Sequence, residues 1–209
     1  MSNKTLFPAT LMLAAIVITS CSGSGSSGSS PPAASSALAT SSSSTASPST
    51  PPEPTTFTSA TYGYTWTLPA DWTGAQAVQA WDIHAGFGLN TFSFQADQFK
   101  SASTAAAYVV AAPWKEDLAA FAKFWILDNA RFHGDHCPSK PTTRTPITIG
   151  GQPGTLLAYN CGILVNIAVA VHHGVGYNFS FVNDSVAAAT DPTDHATFVN
   201  MLKSVQFPD

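Results

Sequence analysis

Residues 150–183 have the sequence GGQPGTLLAYNCGILVNIAVAVHHGVGYNFSFVN, and this stretch decides the fold class. Two of its segments place β-branched or aromatic residues at every second position: Ile163, Val165, Ile167, Val169 and Val171 in one, and Tyr177, Phe179 and Phe181 in the other. Alternation with a period of two is typical of β-strands. Gly174 and Gly176 separate the two segments, as a hairpin turn requires. The stretch therefore predicts three consecutive antiparallel strands, which the rest of the domain covers.

The N-terminal segment indicates export. Lys4 precedes an apolar run at 6–18, which is too short to cross about 30 Å of hydrocarbon and is typical of a secretory signal peptide. The residues Ile18-Thr19-Ser20-Cys21 resemble the lipobox of bacterial lipoproteins, whose cysteine receives diacylglycerol. We therefore expect residues 1–20 to be a lipoprotein signal peptide and Cys21 to carry the lipid. That lipid would hold the protein at the extracytoplasmic side of the bacterial cell membrane. The alternative is an ordinary signal peptide with an incidental cysteine.

Residues 21–55 are expected to form a tether. After Cys21 they are almost entirely Ser, Gly, Ala, Thr and Pro, with too little apolar surface to offset the entropy of ordering. The globular domain is expected at 56–209, a length that can bury one core.

The charge balance argues against nucleic acid as a partner. The chain has 8 Lys and Arg against 12 Asp and Glu, for a formal net charge of −4. Its basic residues are scattered, so no positive patch is expected to bind phosphates.

Two further cysteines, Cys137 and Cys161, are expected to form a disulfide, because an exported chain with two cysteines most simply pairs them. The rival interpretation is a pair of thiolates in a metal site.

The regions around the central stretch alternate between strand and helix patterns. Residues 56–68 predict a hairpin, 75–81 and 89–95 predict two strands, and 143–149 predict another. Ser101 or Ser103 is expected to cap a helix that runs to Ala112. A final helix passes through Phe198, Met201 and Leu202, and a short strand closes the chain. The class is therefore α+β, with an antiparallel sheet covered by helices.

A second helix, from Pro113 to about Asp128, is expected to be clamped between the sheet and the preceding segment, and its outer aromatics are the candidate binding surface. An apolar stripe runs through Leu118, Phe121, Ala122 and Trp125 at helical spacing. Further large apolar residues extend beyond this stripe, and a patch of exposed aromatics indicates a contact with something else. We expect Trp114 or Phe124 to be exposed, as the surface for a partner or ligand.

Four segments resemble the PsbP-like family, which includes bacterial lipoproteins. They are YGYTWTLPADW at 62–72, ITIGGQPG at 147–154, GYNFSF at 176–181 and FVNMLKSVQF at 198–207. The resemblance covers the whole folded domain and implies an α-β-α sandwich without a catalytic residue or cofactor. The chain departs from the family pattern in its expected helical insertion at about 104–128 and in its cysteine pair.

These observations predict a lipid-anchored binding or accessory protein of the cell envelope, not an enzyme, whose partner is an envelope protein or an apolar ligand. One alternative is a metal-binding envelope protein that uses His133, His136 and His172, since imidazoles bind zinc and copper. A less favoured alternative is a hydrolase built on Asp135 with His133 or His136.

Overall fold

A computed structural model describes residues 53–88, 91–132, 137–183 and 192–209, all of which belong to one compact unit. Among these residues, seven strands form one fully antiparallel sheet, in the order β3-β4-β5-β9-β8-β7-β6, and β1 and β2 form a separate hairpin. The strands are β1 Thr55–Thr58, β2 Thr65–Leu68, β3 Trp72–Ala75, β4 Asp97–Ser101, β5 Ala105–Pro113, β6 Thr143–Ile149, β7 Gln152–Asn160, β8 Leu164–His172 and β9 Val175–Asn183. The helices are α1 Leu118–Phe132 and α2 Pro192–Lys203.

The strands predicted in the central stretch, at 143–149 and in the first hairpin are confirmed. Strands β7, β8 and β9 pair in sequence, and β6 extends the sheet beyond them as predicted for 143–149. The hairpin predicted at 56–68 is the β1–β2 pair, in which Phe57 lies opposite Trp66. The final helix is also confirmed as α2. The expected terminal strand is reduced to a single bridge between Gln206 and Thr65.

The helix predicted from Ser101 or Ser103 to Ala112 is wrong, because these residues include most of β5. Strand β5 lies inside the sheet, between β4 and β9, and its residues 109–112 are buried on both faces, so its sequence shows no alternation. Its small residues match large ones on the neighbouring strand: Ala107 lies opposite Phe181, and Ala111 opposite Tyr177. The proposed helical insertion at 104–128 is therefore a sheet strand followed by the first part of α1.

The strands predicted at 75–81 and 89–95 are also wrong in position. The observed strands are β3 and β4, and the segment between them includes a 3-10 helix at Ile83–Ala85 and one π-helical turn at Thr91–Gln95. Phe92 packs against the core while Phe94 is 52 % exposed, so their alternation does not mark a sheet strand. The segment is fixed by the buried Asp97, whose carboxylate accepts hydrogen bonds from the Tyr64 hydroxyl (2.8 Å) and the Ala77 amide (2.7 Å).

The sheet is covered on both faces. The β1–β2 hairpin and α2 cover one face, where the Trp66 indole N–H donates to the Met201 carbonyl at 2.6 Å. Helix α1 lies over β8 and β7 on the other face. At Gly176 of β9 an added Cβ would lie 2.6 Å from the Phe121 ring, so this close approach of helix to strand requires glycine. The predicted α+β class is confirmed.

Candidate ligand pocket

A cavity of about 320 Å³ lies between α1 and the sheet. Its walls come from β5, β8, β9, α1, the segment before β4, and the loops that carry the two cysteines. The lining residues are Phe87, Phe92, Thr104, Ala106, Tyr108, Trp125, Asp128, Asn129, Cys137, Cys161, Ile163, Val165, Ile167, Ser180 and Val182. Most of them are apolar, so the cavity favours an apolar occupant.

The cavity exists because α1 packs off the centre of the sheet. The helix lies over β8 and β7, while the neighbouring β5 and β9 present the short side chains of Ala106 and Ser180. Short side chains beside an off-centre helix leave space above the sheet. Phe87 and Phe92, which precede β4 in the chain, close part of this space.

An aromatic wall runs along the cavity. The ring centroids of Trp125 and Phe87 are 5.3 Å apart, those of Phe87 and Phe92 are 4.7 Å apart, and those of Phe92 and Tyr108 are 4.7 Å apart. Each pair meets edge to face, a favourable geometry that fixes the rings relative to one another. The wall is therefore preformed.

Three residues of α1 that carry polar groups line the cavity. Trp125, Asp128 and Asn129 are spaced i, i+3, i+4 and so share one side of the helix. The Phe87 amide donates to Asp128 Oδ2 at 3.3 Å. Burial raises the pKa of the Asp128 carboxyl above its usual value, while this hydrogen bond and the charge of Arg131 act in the opposite direction.

Two of these polar groups are unpaired donors. Among the described residues, neither Trp125 Nε1 nor Asn129 Nδ2 has a hydrogen-bond partner, although both atoms are buried. A buried donor without an acceptor costs about 1–3 kcal/mol. Native proteins rarely leave such groups unsatisfied, and because both atoms are inaccessible, an occupant of the cavity does not reach them.

The predicted disulfide is confirmed, and it belongs to the cavity. Cys137 and Cys161 are bonded and both line the wall, next to Ile163 at the start of β8. Oxidation also removes Cys137 and Cys161 from any set of thiolate metal ligands.

The structure places Trp114 and Phe124 away from the lining of the cavity. Both side chains are partly buried, and their ring centroids are 5.7 Å apart. The Trp114 indole N–H donates to the Asp117 carbonyl at 3.3 Å, and Phe124 packs on Trp81 and Trp125. Among the α1 residues whose burial is described, the exposed large apolar residue is instead Leu127, which is 62 % exposed.

His172 lies at the far end of β8 from Cys161, roughly 26 Å along the strand from Leu164. Its Nε2 is 3.2 Å from the Pro208 carbonyl oxygen, and its ring stacks on His173 and Phe207. His133, Asp135 and His136 lie outside the described residues, so both alternatives that use them remain untested. In the part of the chain that the structure describes, no cluster of three His, Cys, Asp or Glu residues could hold a metal ion.

Asp128 and Asn129 were not predicted as site residues, although the sequence carries a signal for them. They fall ten and eleven positions after Leu118, and so continue the predicted apolar stripe of Leu118, Phe121, Ala122 and Trp125. A polar pair on the buried side of a helix needs partners, and an unusual pair of this kind marks a candidate site.

Comparisons with solved structures support the fold. The domain matches the solution structure of cyanobacterial PsbP (CyanoP) from Synechocystis sp. PCC 6803 with a TM-score of 0.53 and 11% sequence identity. The match covers 75% of this chain and 93% of that one. The fold is PsbP-like. A crystal structure from Bacteroides thetaiotaomicron aligns with a TM-score of 0.40 and 10% identity over 70% of this chain and 45% of that one.

The structural comparison thus agrees with the PsbP-like fold that the sequence motifs predicted. No family model and no curated protein matches the chain significantly. An identity of 11% supports a shared fold alone, so the function has to come from the site itself. No helix within the described ranges is long and apolar enough to cross a membrane.

Proposed function

We propose that this chain is a lipid-anchored, extracytoplasmic binding protein whose PsbP-like domain holds a small apolar ligand between α1 and the sheet. The observation that carries the proposal is the preformed cavity of about 320 Å³ with its largely apolar lining. Small-molecule sites have volumes of about 300–1,000 Å³ and combine apolar walls with a few placed polar groups. The cavity fits this description, because Asp128 and Asn129 lie among aromatic and aliphatic side chains.

The proposed location rests on the N-terminal sequence and on the disulfide. The lipobox-like residues before Cys21 and the tether at 21–55 suit a domain that is anchored to the membrane by a lipid. A disulfide between Cys137 and Cys161 suits an oxidising compartment outside the cytoplasm.

A ligand is favoured over a partner protein as the occupant. Trp114 and Phe124 pack into an aromatic cluster with Phe121 and so offer little free apolar surface. The cavity, in contrast, is already shaped before anything binds.

The test uses a substitution on the sheet side of the cavity that fills the space with a larger side chain. Ala106→Phe adds a ring at a lining position of β5, whereas the matched control Ala119→Phe adds the same ring at an exposed position of α1. The wild-type protein and both variants are purified from membranes, extracted with organic solvent and analysed by mass spectrometry. We expect a co-purifying small molecule in wild type and in Ala119→Phe that is absent from Ala106→Phe. Identical extracts from all three proteins would refute a ligand in this cavity.

A further inference from the structure

The cavity is accessible at the end of the sheet where β5 and β8 begin. Its lining residues at that end, Thr104, Ala106 and Ile163, are exposed or half-buried, whereas Phe87 and Trp125 are buried. We call this accessible end, lined by Thr104, Ala106 and Ile163, the mouth. A ligand in the cavity has its outermost group at the mouth, so the charges around the mouth select that group.

Two cations lie beside the mouth, one on the sheet and one on α1. Lys100 is directly opposite Ala106 in the β4–β5 pair, so both side chains project from the same face with Cβ atoms about 5 Å apart. Arg131 follows the lining residue Asp128 by three positions on α1. The charge of Arg131 opposes the raised pKa of the Asp128 carboxyl, as a nearby cation does. Both basic side chains are exposed, although 31 positions separate them in the sequence.

The other charges near the mouth favour an anion there and disfavour one inside. A third exposed cation, Lys140, follows the lining Cys137 by three positions. Asp71 lies at the same end of the sheet, where its backbone carbonyl accepts the Ala102 amide, and its charge offsets part of this positive set. Asp128 is buried in the wall, so an anion deep in the cavity would meet a second negative group in a poorly solvated space.

The size and lining of the cavity describe the rest of the ligand. An apolar cavity of about 150 Å³ holds benzene, so about 320 Å³ suits about twelve carbon atoms. Among the described lining residues there is no Lys or Arg, so a negative group finds its cations only around the mouth. The ligand therefore combines an apolar part inside with an anionic group at the mouth.

We propose that the cavity holds the alkyl tail of a single-chain anionic amphiphile, whose carboxylate or phosphate head lies at the mouth beside Lys100 and Arg131. This assignment rests on the proposed function, because it specifies the ligand class of the same cavity.

Four probes with one tail and different heads test the assignment: dodecanoate, dodecyl phosphate, dodecanol and dodecylammonium. The protein is the chain from residue 21 onward with Cys21→Ser, which needs no competing detergent. Dissociation constants are measured by equilibrium dialysis at neutral pH and low ionic strength, below the micellar concentration of each probe. Wild type should bind dodecanoate about tenfold more tightly than dodecylammonium, and added salt should reduce this difference. The tighter of dodecanoate and dodecyl phosphate identifies a fatty acid or a phosphate lipid as the source of the head.

A pair of lysine variants tests the position of the head. Lys100→Gln should weaken dodecanoate binding about three- to fivefold, as expected for one partly solvated ion pair, and leave dodecanol binding unchanged. Lys203→Gln is the matched control, because it removes the same charge from an exposed position of α2, which covers the opposite face of the sheet. It should change neither affinity. Both substitutions are at exposed positions and should leave the fold intact.

Three results overturn the amphiphile assignment: equal binding of dodecanoate and dodecylammonium by wild type, equal effects of Lys100→Gln and Lys203→Gln on dodecanoate, and no binding of any probe. In the first two cases the proposed function still stands if Ala106→Phe abolishes dodecanol binding and Ala119→Phe does not. Binding of all probes that is indifferent to Ala106→Phe overturns the proposed function as well.

Discussion

Asp128 places a buried carboxyl group in the wall of the cavity, and this burial lowers the stability of the folded domain. Its carboxyl group is buried among apolar side chains, and the only hydrogen bond described for it comes from the Phe87 amide. Burial raises its pKa, which means that the folded state disfavours the ionised form. The residue therefore reduces stability at neutral pH, as groups that serve a site often do.

We expect Asp128→Asn to stabilise the protein at neutral pH. The folded pKa is raised above the usual value of 3.8, so wild-type stability falls as pH rises from that value through the folded pKa. The amide of the variant does not titrate and can still accept the Phe87 N–H. Urea unfolding at several pH values should show the variant's advantage at about pH 7 and its disappearance below about pH 4.

The exposed Asp71 provides the control for this prediction. Asp71→Asn should not reproduce the pH-dependent gain. A gain for Asp128→Asn that is the same at low and neutral pH would show that the carboxyl is not the cause.

Residue identity alone did not reveal the polar part of the cavity. Asp128 and Asn129 continue the apolar stripe of the predicted helix, but the sequence does not show a cavity beside them, which exists because α1 lies over β8 and β7. That placement depends on contacts between distant segments, such as the approach of Phe121 to Gly176. The disulfide, in contrast, followed directly from two cysteines in a chain whose N-terminal sequence predicts export.

At the scale of single elements, β5 and β8 show what the sequence can and cannot predict. Strand β8 was predicted because β-branched residues alternate along it. Strand β5 has the sequence AAAYVVAAP, in which alanine favours helix and no alternation is visible. Its alanines are explained only by the large rings of β9 beside them, for example Phe181 opposite Ala107.

The start of α1 gives a prediction about helix capping. The helix begins at Leu118 rather than at Pro113, and Asp117 caps it, since the Ala120 amide donates to Asp117 Oδ1 at 2.8 Å. Asp117→Ala should lower the free energy of unfolding by about 1 kcal/mol. Glu116→Ala, one residue earlier, removes a carboxylate without removing the cap and should cost clearly less. Equal losses in urea unfolding would mean that the cap is not formed.

The whole domain is stabilised by a covalent link across its cavity side. The Cys137–Cys161 bond closes a loop with a sequence separation of 24. Restricting such a loop in the unfolded chain is worth about 3–4 kcal/mol on the chain-entropy model. The bond also joins the segment after α1 to the turn before β8.

We therefore expect the double variant Cys137→Ser, Cys161→Ser to lose about 3–4 kcal/mol in urea unfolding. Reduced and alkylated wild type should behave in the same way, while the single substitution Cys21→Ser should not affect the domain. Rapid labelling of Cys137 and Cys161 by an alkylating reagent in the folded, unreduced protein would contradict the bond.

The closure of the domain by its last residues has a consequence for synthesis. Thr65 and Gln206 exchange backbone hydrogen bonds of 2.9 and 3.0 Å, and the Gly150 amide donates to the Leu202 carbonyl. The first hairpin thus reaches its final partner only when the chain is available up to Gln206. A ribosome that delivers the chain from its N-terminus must release residues 55–206 before this part of the core can close. The hairpin is therefore expected to dock after residues 55–206 have been synthesised rather than during their synthesis.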